Sequence, residues 1–117
     1  MTDRVLASDL LTRPLPHEDL PAADVVAGTP ATGTLPLAEL GPSEIGTVEV
    51  GVWEMTRGAA RDTEVDEVFV VLSGAGQVDF EDGTTLALVP GMAVRLHAGE
   101  RTTWTVVEPL RKLYVSR

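Results

Sequence analysis

The supply of histidine and carboxylate sets the first limit on what chemistry this chain can do. It has two histidines, His17 and His97, and no cysteine. A three-histidine metal site therefore cannot form within one chain. A zinc–thiolate site, a disulfide and a thiolate nucleophile are also ruled out. Carboxylates cluster at Asp62, Glu64, Asp66 and Glu67. Strand alternation puts Glu64 and Asp66 on the face opposite Thr63 and Glu67, and only a bulge would bring them inside. A lone Glu67 does not make a tight transition-metal site. The plain reading of this cluster is an acidic surface edge. Ser8, Ser43, Ser73 and Ser116 have no Ser–His–Asp signature nearby. Gly74-Ala75-Gly76 links two strand patterns rather than opening a helix, so it is no phosphate loop. His97 reads as a turn residue before Ala98-Gly99, and His17 as part of an N-terminal arm.

Composition narrows the partners. A chain of 117 residues is the size of one domain and can bury a core without staples. The net charge is −9, from 9 basic and 18 acidic residues, which argues against nucleic acid and anionic membranes. No apolar run approaches the ~20 residues that span a bilayer. Asp3 and Arg4 come early, with no apolar core after them, so no signal peptide is expected. The expected location is the cytoplasm.

The elements that must position any site are short strands. Pro14, Pro16, Pro21, Pro30, Pro36 and Pro42 break residues 1–46 into an arm with the first edge strands. Val5, Leu6, Leu10 and Leu11 suggest a helical turn or an edge strand. Leu10, Leu11, Leu15, Leu20, Val25, Val26, Leu35, Leu37 and Leu40 make the arm too apolar for a linker, so burial is expected. From residue 47 to 117 the pattern is that of a β core. Val48, Val50 and Val52 alternate with Glu49, Gly51 and Trp53. Val68 to Leu72 is an apolar run ended by Ser73-Gly74. Gln77 to Phe80 and Thr85 to Val89 flank Asp82-Gly83, a hairpin signal. Ala93 to His97, Thr102 to Val107 and Leu110 to Val115 follow between turns. Such spacing predicts an all-β sandwich or barrel.

At this point the order of the motifs becomes specific. Gly51-Val52-Trp53-Glu54-Met55-Thr56-Arg57-Gly58 is followed by Asp66-Glu67, then Gly74, Pro90-Gly91, Gly99 with Trp104, and Glu108-Pro109-Leu110-Arg111-Lys112-Leu113-Tyr114. With Gly28-Thr29-Pro30 in the arm, residues 25–117 resemble the small single-domain cupins related to ureidoglycine aminohydrolase, the cupin 3 group. The resemblance implies a cupin jelly-roll barrel with an N-terminal arm, a pocket inside the barrel, and usually a homodimer. Pairing of arms or edge strands between two chains would also protect open sheet edges. The group includes metal hydrolases of ureide catabolism.

The metal-binding pattern of such cupins can be laid on this chain. Counting back from Gly74, its glutamate is Glu67, and its two paired histidine positions fall on Arg61 and Thr63. The third histidine position, three residues after Gly99, is Thr102. Three of four ligand positions thus hold arginine or threonine, and no bound metal cofactor is expected, a divalent metal being disfavoured. On the parity that the resemblance implies, Arg61, Thr63, Glu67, Thr102 and Trp104 face the interior. Arg61 would then bind a ligand carboxylate through its fork. Glu67 would accept a hydrogen bond or act as general base, and Trp104 would form a wall. Alternatively, Arg61 and Glu67 pair with each other and Trp104 is core. Trp53 reads as pocket wall or dimer contact. Tyr114, which shares its parity with Lys112, reads as a ligand donor or a core tyrosine.

Two functions follow. One is a metal-independent cupin that binds a small polar or anionic metabolite. The other is a hydrolase, isomerase or lyase, like ureidoglycine aminohydrolase, using Glu67 as acid/base or metal ligand. A barrel filled by its own side chains would leave a structural role.

Overall fold

A computed structural model of the protein describes residues 4–44 and 46–117. Nine strands follow in chain order: β1 (Glu18–Asp19), β2 (Val25–Ala27), β3 (Ala31–Leu40), β4 (Val48–Met55), β5 (Gly58–Thr63), β6 (Glu67–Phe80), β7 (Thr85–Leu88), β8 (Ala93–Leu96) and β9 (Arg101–Ser116). Among the described residues the one helical element is a 3-10 turn at Ala22–Asp24.

The sixteen residues of β9 organise the sheet. Along one edge β9 pairs antiparallel with β6 throughout. Along the other it pairs first with β5 and then with β4. β3 continues outward from β4, and β7 and β8 line the far edge of β6. A sheet built on two such long strands twists and curls, and here it makes a half-barrel. Phe69, Val71, Val78, Leu88, Leu96, Val106 and Leu110 fill its concave side, each at most 2% exposed.

Two breaks expected from the sequence are not breaks. β6 runs through Ser73-Gly74, and β9 runs through Glu108-Pro109. The register slips there, with Ser73 opposite Arg111 but Ala75 opposite Glu108. A bulge takes up the difference and tolerates a proline that donates no hydrogen bond. Gly74 makes the bulge possible. Its φ is +94°, and a Cβ there would lie 2.0 Å from the Pro109 carbonyl oxygen. β5 carries no clear alternation, and the ten-residue β3 lies in the stretch whose sequence pattern indicates edge strands without fixing their bounds. Their pairing with β9 and β4 makes them strands.

Of the helical turn or edge strand expected near the start of the arm, no strand forms among the described residues, and a turn closes over Asp9–Arg13. Thr12 and Arg13 N–H donate to the Asp9 carbonyl at 3.0 and 2.8 Å. Leu15 is buried, but Leu11, Val26 and Leu40 remain exposed, contrary to the burial expected of them. Polar contacts hold the arm instead. The buried Arg111 donates to the Leu10 carbonyl at 2.7 Å and to Glu54 at 3.2 Å, and His17 sits 2.7 Å from the same carboxylate. Arg111 and Glu54 are cross-strand partners on one face of the sheet, and Lys112 and Trp53 are partners on the other.

Candidate functional site

The concave face of the half-barrel opens into a cavity of about 250 Å³, walled by Trp53, Glu64, Glu67, Trp104, Lys112 and Tyr114 among others. Register explains the assembly. Lys112 on β9 lies opposite Trp53 on β4 and Val71 on β6. Tyr114 lies opposite Gly51 and Phe69. Gly51 is needed for this, since a Cβ there would come within 2.5 Å of the Tyr114 hydroxyl.

A buried ion pair lies at the centre. The Lys112 Nζ donates to Glu67 Oε2 at 2.7 Å, and both side chains are at most 10% exposed. Three rings surround that ammonium. Nζ lies 4.7 Å from the Trp53 centroid, 4.5 Å from Phe69 and 4.7 Å from Trp104. All are within cation–π range. The rings support one another, with Trp104 centred 5.5 Å from Trp53 and 5.6 Å from Phe69 in tilted contacts. A carboxylate and three ring faces together offset the desolvation of the ammonium.

A second buried carboxylate lies at the indole edge. Glu64 Oε2 accepts from the Thr102 hydroxyl at 2.6 Å and from Trp104 Nε1 at 3.0 Å. Asp62 completes the acidic side and lines both this cavity and a larger outer groove of about 680 Å³. Its carboxyl is pushed up to about 6, first by partial burial and then by the charge of Glu64, with the Thr63 N–H partly opposing. The Tyr114 hydroxyl donates to Glu49 at 3.1 Å, and burial with this contact pushes its pKa up to about 12.

The structure redistributes the residues read from the sequence. Glu67, Trp104, Tyr114 and Trp53 come together around the cavity, and Thr102 lines the outer groove and reaches the cavity only through its hydrogen bond to Glu64. Arg61 does not reach it. It pairs with Thr103 across β5 and β9 and lines the outer groove, so Glu67 meets Lys112 and not Arg61. Thr63 touches the cavity rim, yet its strand partner is the exposed Arg101. On β5 the buried Ala60 lies opposite Trp104, and Asp62, opposite Thr102, borders the cavity while its surface stays exposed. Parity counted back from Glu67 fails because residues 64–66 are not strand. The irregular stretch resets the alternation and turns Glu64 inward. It is held there by Glu64 N–H donating to the Glu100 carbonyl at 2.8 Å and Gly99 N–H donating to the Glu64 carbonyl at 2.9 Å. Glu64, Asp62 and Lys112 are thus the site residues the sequence reading missed. For Lys112 a signal existed, a lysine at inward parity inside an apolar strand.

The positions that hold metal in related barrels do not form a ligand set here. Arg61 and Thr63 offer no imidazole or carboxylate, the Thr102 hydroxyl serves Glu64, and Glu67 is held by an ammonium. Among the described residues no group of three or more His, Asp or Glu side chains could hold a metal ion. His97 lies on the exposed turn.

With fold and site in view, comparison with known proteins gives the class. Residues 42–114 match the EutQ-like cupin domain family, and the chain belongs to it. The fold is similar to that of the Clostridium difficile EutQ protein, at 20% identity and a TM-score of 0.58, over 74% of this chain and 68% of that one. It is also similar to a DUF861 family protein of unknown function from Pseudomonas syringae pv. tomato, at 21% identity and a TM-score of 0.76. That match covers 92% of this chain but 46% of the other. A third similar chain comes from structures described as DMSP lyases, at 23% identity and a TM-score of 0.58, over 74% of this chain and 47% of that one. No curated protein matches the sequence. These likenesses establish the cupin fold, as the motif order implied. No helix among the described residues is long and apolar enough to cross a membrane.

Proposed function

We propose that this EutQ-like cupin binds a small polar metabolite in the cavity above Lys112 and Glu67, without a transition metal at that place. The observation that carries the reading is the buried Lys112–Glu67 pair at the base of an open, concave pocket. A fixed ammonium supplies the positive charge that a cation would bring to Glu67, and the indole and phenyl rings exclude water around it. At ~30 Å³ per water, the cavity holds a ligand the size of several waters. Arg61, outside the cavity, has no part in this recognition.

Thermal stability of metal-stripped protein against divalent metals, small carboxylates and ureides tests this. A ligand at about a hundredfold excess over its Kd stabilises by roughly 2.7 kcal/mol. Stabilisation by a small polar compound, lost in Lys112→Met, supports the pocket. Stabilisation by a divalent metal alone defeats the metal-free reading.

A second reading, an enzyme of hydrolase, isomerase or lyase type, draws support from Asp62. A carboxyl raised to about 6 on the cavity wall can exchange a proton near neutrality, and Asp62 is not engaged in an ion pair as Glu67 is with Lys112. Ureidoglycine aminohydrolase-like chemistry fits less well, since its metal would lack ligands here. Turnover of a ureide that survives Glu67→Gln but falls in Asp62→Asn would assign the role to Asp62.

A homodimer is part of the proposal. Beyond β1, no strand among the described residues pairs with the outer edge of β3 over residues 34–40, and such an edge favours pairing with a second chain. Light scattering of the purified protein tests it. A cytoplasmic location is the matching proposal, tested by fractionation.

A further inference from the structure

The cavity has two poles, and one indole separates them. Lys112 Nζ lies over the face of Trp104, while Glu64 Oε2 accepts from its Nε1 edge. The ammonium has three N–H donors, and among the described residues one acceptor, Glu67 Oε2, takes one of them. Ring faces attract the charge but are weak acceptors. Lys112 is 5% exposed, so water satisfies little of what remains. At the other pole the hydrogen bonds from Thr102 and Trp104 both fall on Glu64 Oε2. Oε1 of that buried carboxylate keeps its lone pairs, and Asp62 stands beside it on the same wall.

We propose that the cavity selects a small zwitterion, whose carboxylate or carbonyl oxygen meets Lys112 and whose ammonium meets Glu64 and Asp62 across the Trp104 ring. This rests on the pocket reading above and sharpens it. A simple anion would satisfy Lys112 but face two carboxylates unpaired. A simple cation would satisfy the carboxylates and leave the donors of Lys112 empty. Burial makes each unpaired pole unfavourable.

The chain has two tryptophans, Trp53 and Trp104, and both wall the cavity, so intrinsic fluorescence reports on it directly. The experiment titrates the full chain with 4-aminobutyrate, butyrate and butylammonium at constant ionic strength. The zwitterion is expected to act at a concentration at least about tenfold lower than either single-ended probe, the size of one charge-assisted hydrogen bond. Lys112→Met should bring 4-aminobutyrate to the level of butylammonium. Glu64→Gln, which keeps an acceptor for Thr102 and Trp104, should bring it to the level of butyrate, so the test survives if the lysine variant fails to fold. Glu81→Gln, in the outer groove, should change nothing. Equal response to butyrate and 4-aminobutyrate overturns the zwitterion assignment and leaves the pocket standing. Butylammonium binding that Glu64→Gln does not weaken overturns it as well. No response to any probe overturns both.

Discussion

Replacing Lys112 by methionine isolates the ion pair on which the cavity is built. Methionine keeps an unbranched stem among Trp53, Phe69 and Trp104 but removes the ammonium 2.7 Å from Glu67. The carboxylate, buried with its partner gone, is the main source of the loss. Breaking one side of a buried pair costs about 3–5 kcal/mol. The rings gain apolar contact with the thioether, which returns a fraction of this, so we expect a net loss of about 3 kcal/mol. For a domain of this size that lowers Tm by roughly 10 °C. Adding Glu67→Gln removes the stranded charge and should restore more than half of the loss. Chemical denaturation of wild type, both single variants and the double variant closes a cycle, with coupling expected above about 1.5 kcal/mol. Tryptophan emission, from two residues that both touch the ammonium, reads the same transition. A Lys112→Met protein as stable as wild type, or coupling below about 0.5 kcal/mol, would refute the view that this pair is desolvated and mutually dependent.

Two further outcomes are expected. Asp62 holds its proton more tightly folded than unfolded, with a pKa raised from 3.8 to about 6. Its contribution to stability is therefore complete below pH 4 and lost as pH rises through 6. Asp62→Asn should match wild type at pH 4 and exceed it at pH 7.5, by about 1 kcal/mol once solvent screening at this partly exposed group is allowed for; denaturation midpoints at the two pH values check the sign. Gly51→Ala would set a Cβ 2.5 Å from the Tyr114 hydroxyl and 2.9 Å from the Leu35 carbonyl oxygen. It should cost about 1–3 kcal/mol and break the Tyr114–Glu49 contact. A phenol that then titrates nearer its ordinary value by ultraviolet absorbance would show that Tyr114 has moved.

How much was legible beforehand differs by residue. Pro90-Gly91 and Gly99 could be read as turns because backbone geometry fixes them, with φ of +93° at Gly91 and +88° at Gly99; Gly74, at +94°, has the same geometry but serves a bulge inside β6 and not the strand end expected of it. Trp104, Tyr114 and Glu67 could be placed inside because they sit in continuous strands where alternation holds. Arg61 could not, and Thr63 reaches only the rim, because their parity was carried across residues 64–66, which are not strand. The expected Arg61–Glu67 pair fails for that one reason.

Residue types and local backbone preferences suffice for the all-β class, for the turns at residues 82–83, 90–91 and 98–99, for the absence of thiol chemistry and for the loss of histidine at the metal positions, and these were legible in the sequence. The tertiary structure decided the partners. Lys112 and Glu67 are far apart in the chain and meet only because β6 and β9 pair along their whole length. Glu64 reaches Thr102 and Trp104 only because the turn at residues 97–100 clasps an irregular loop. Pairing register and loop closure act over long sequence separations, and a local pattern does not encode them.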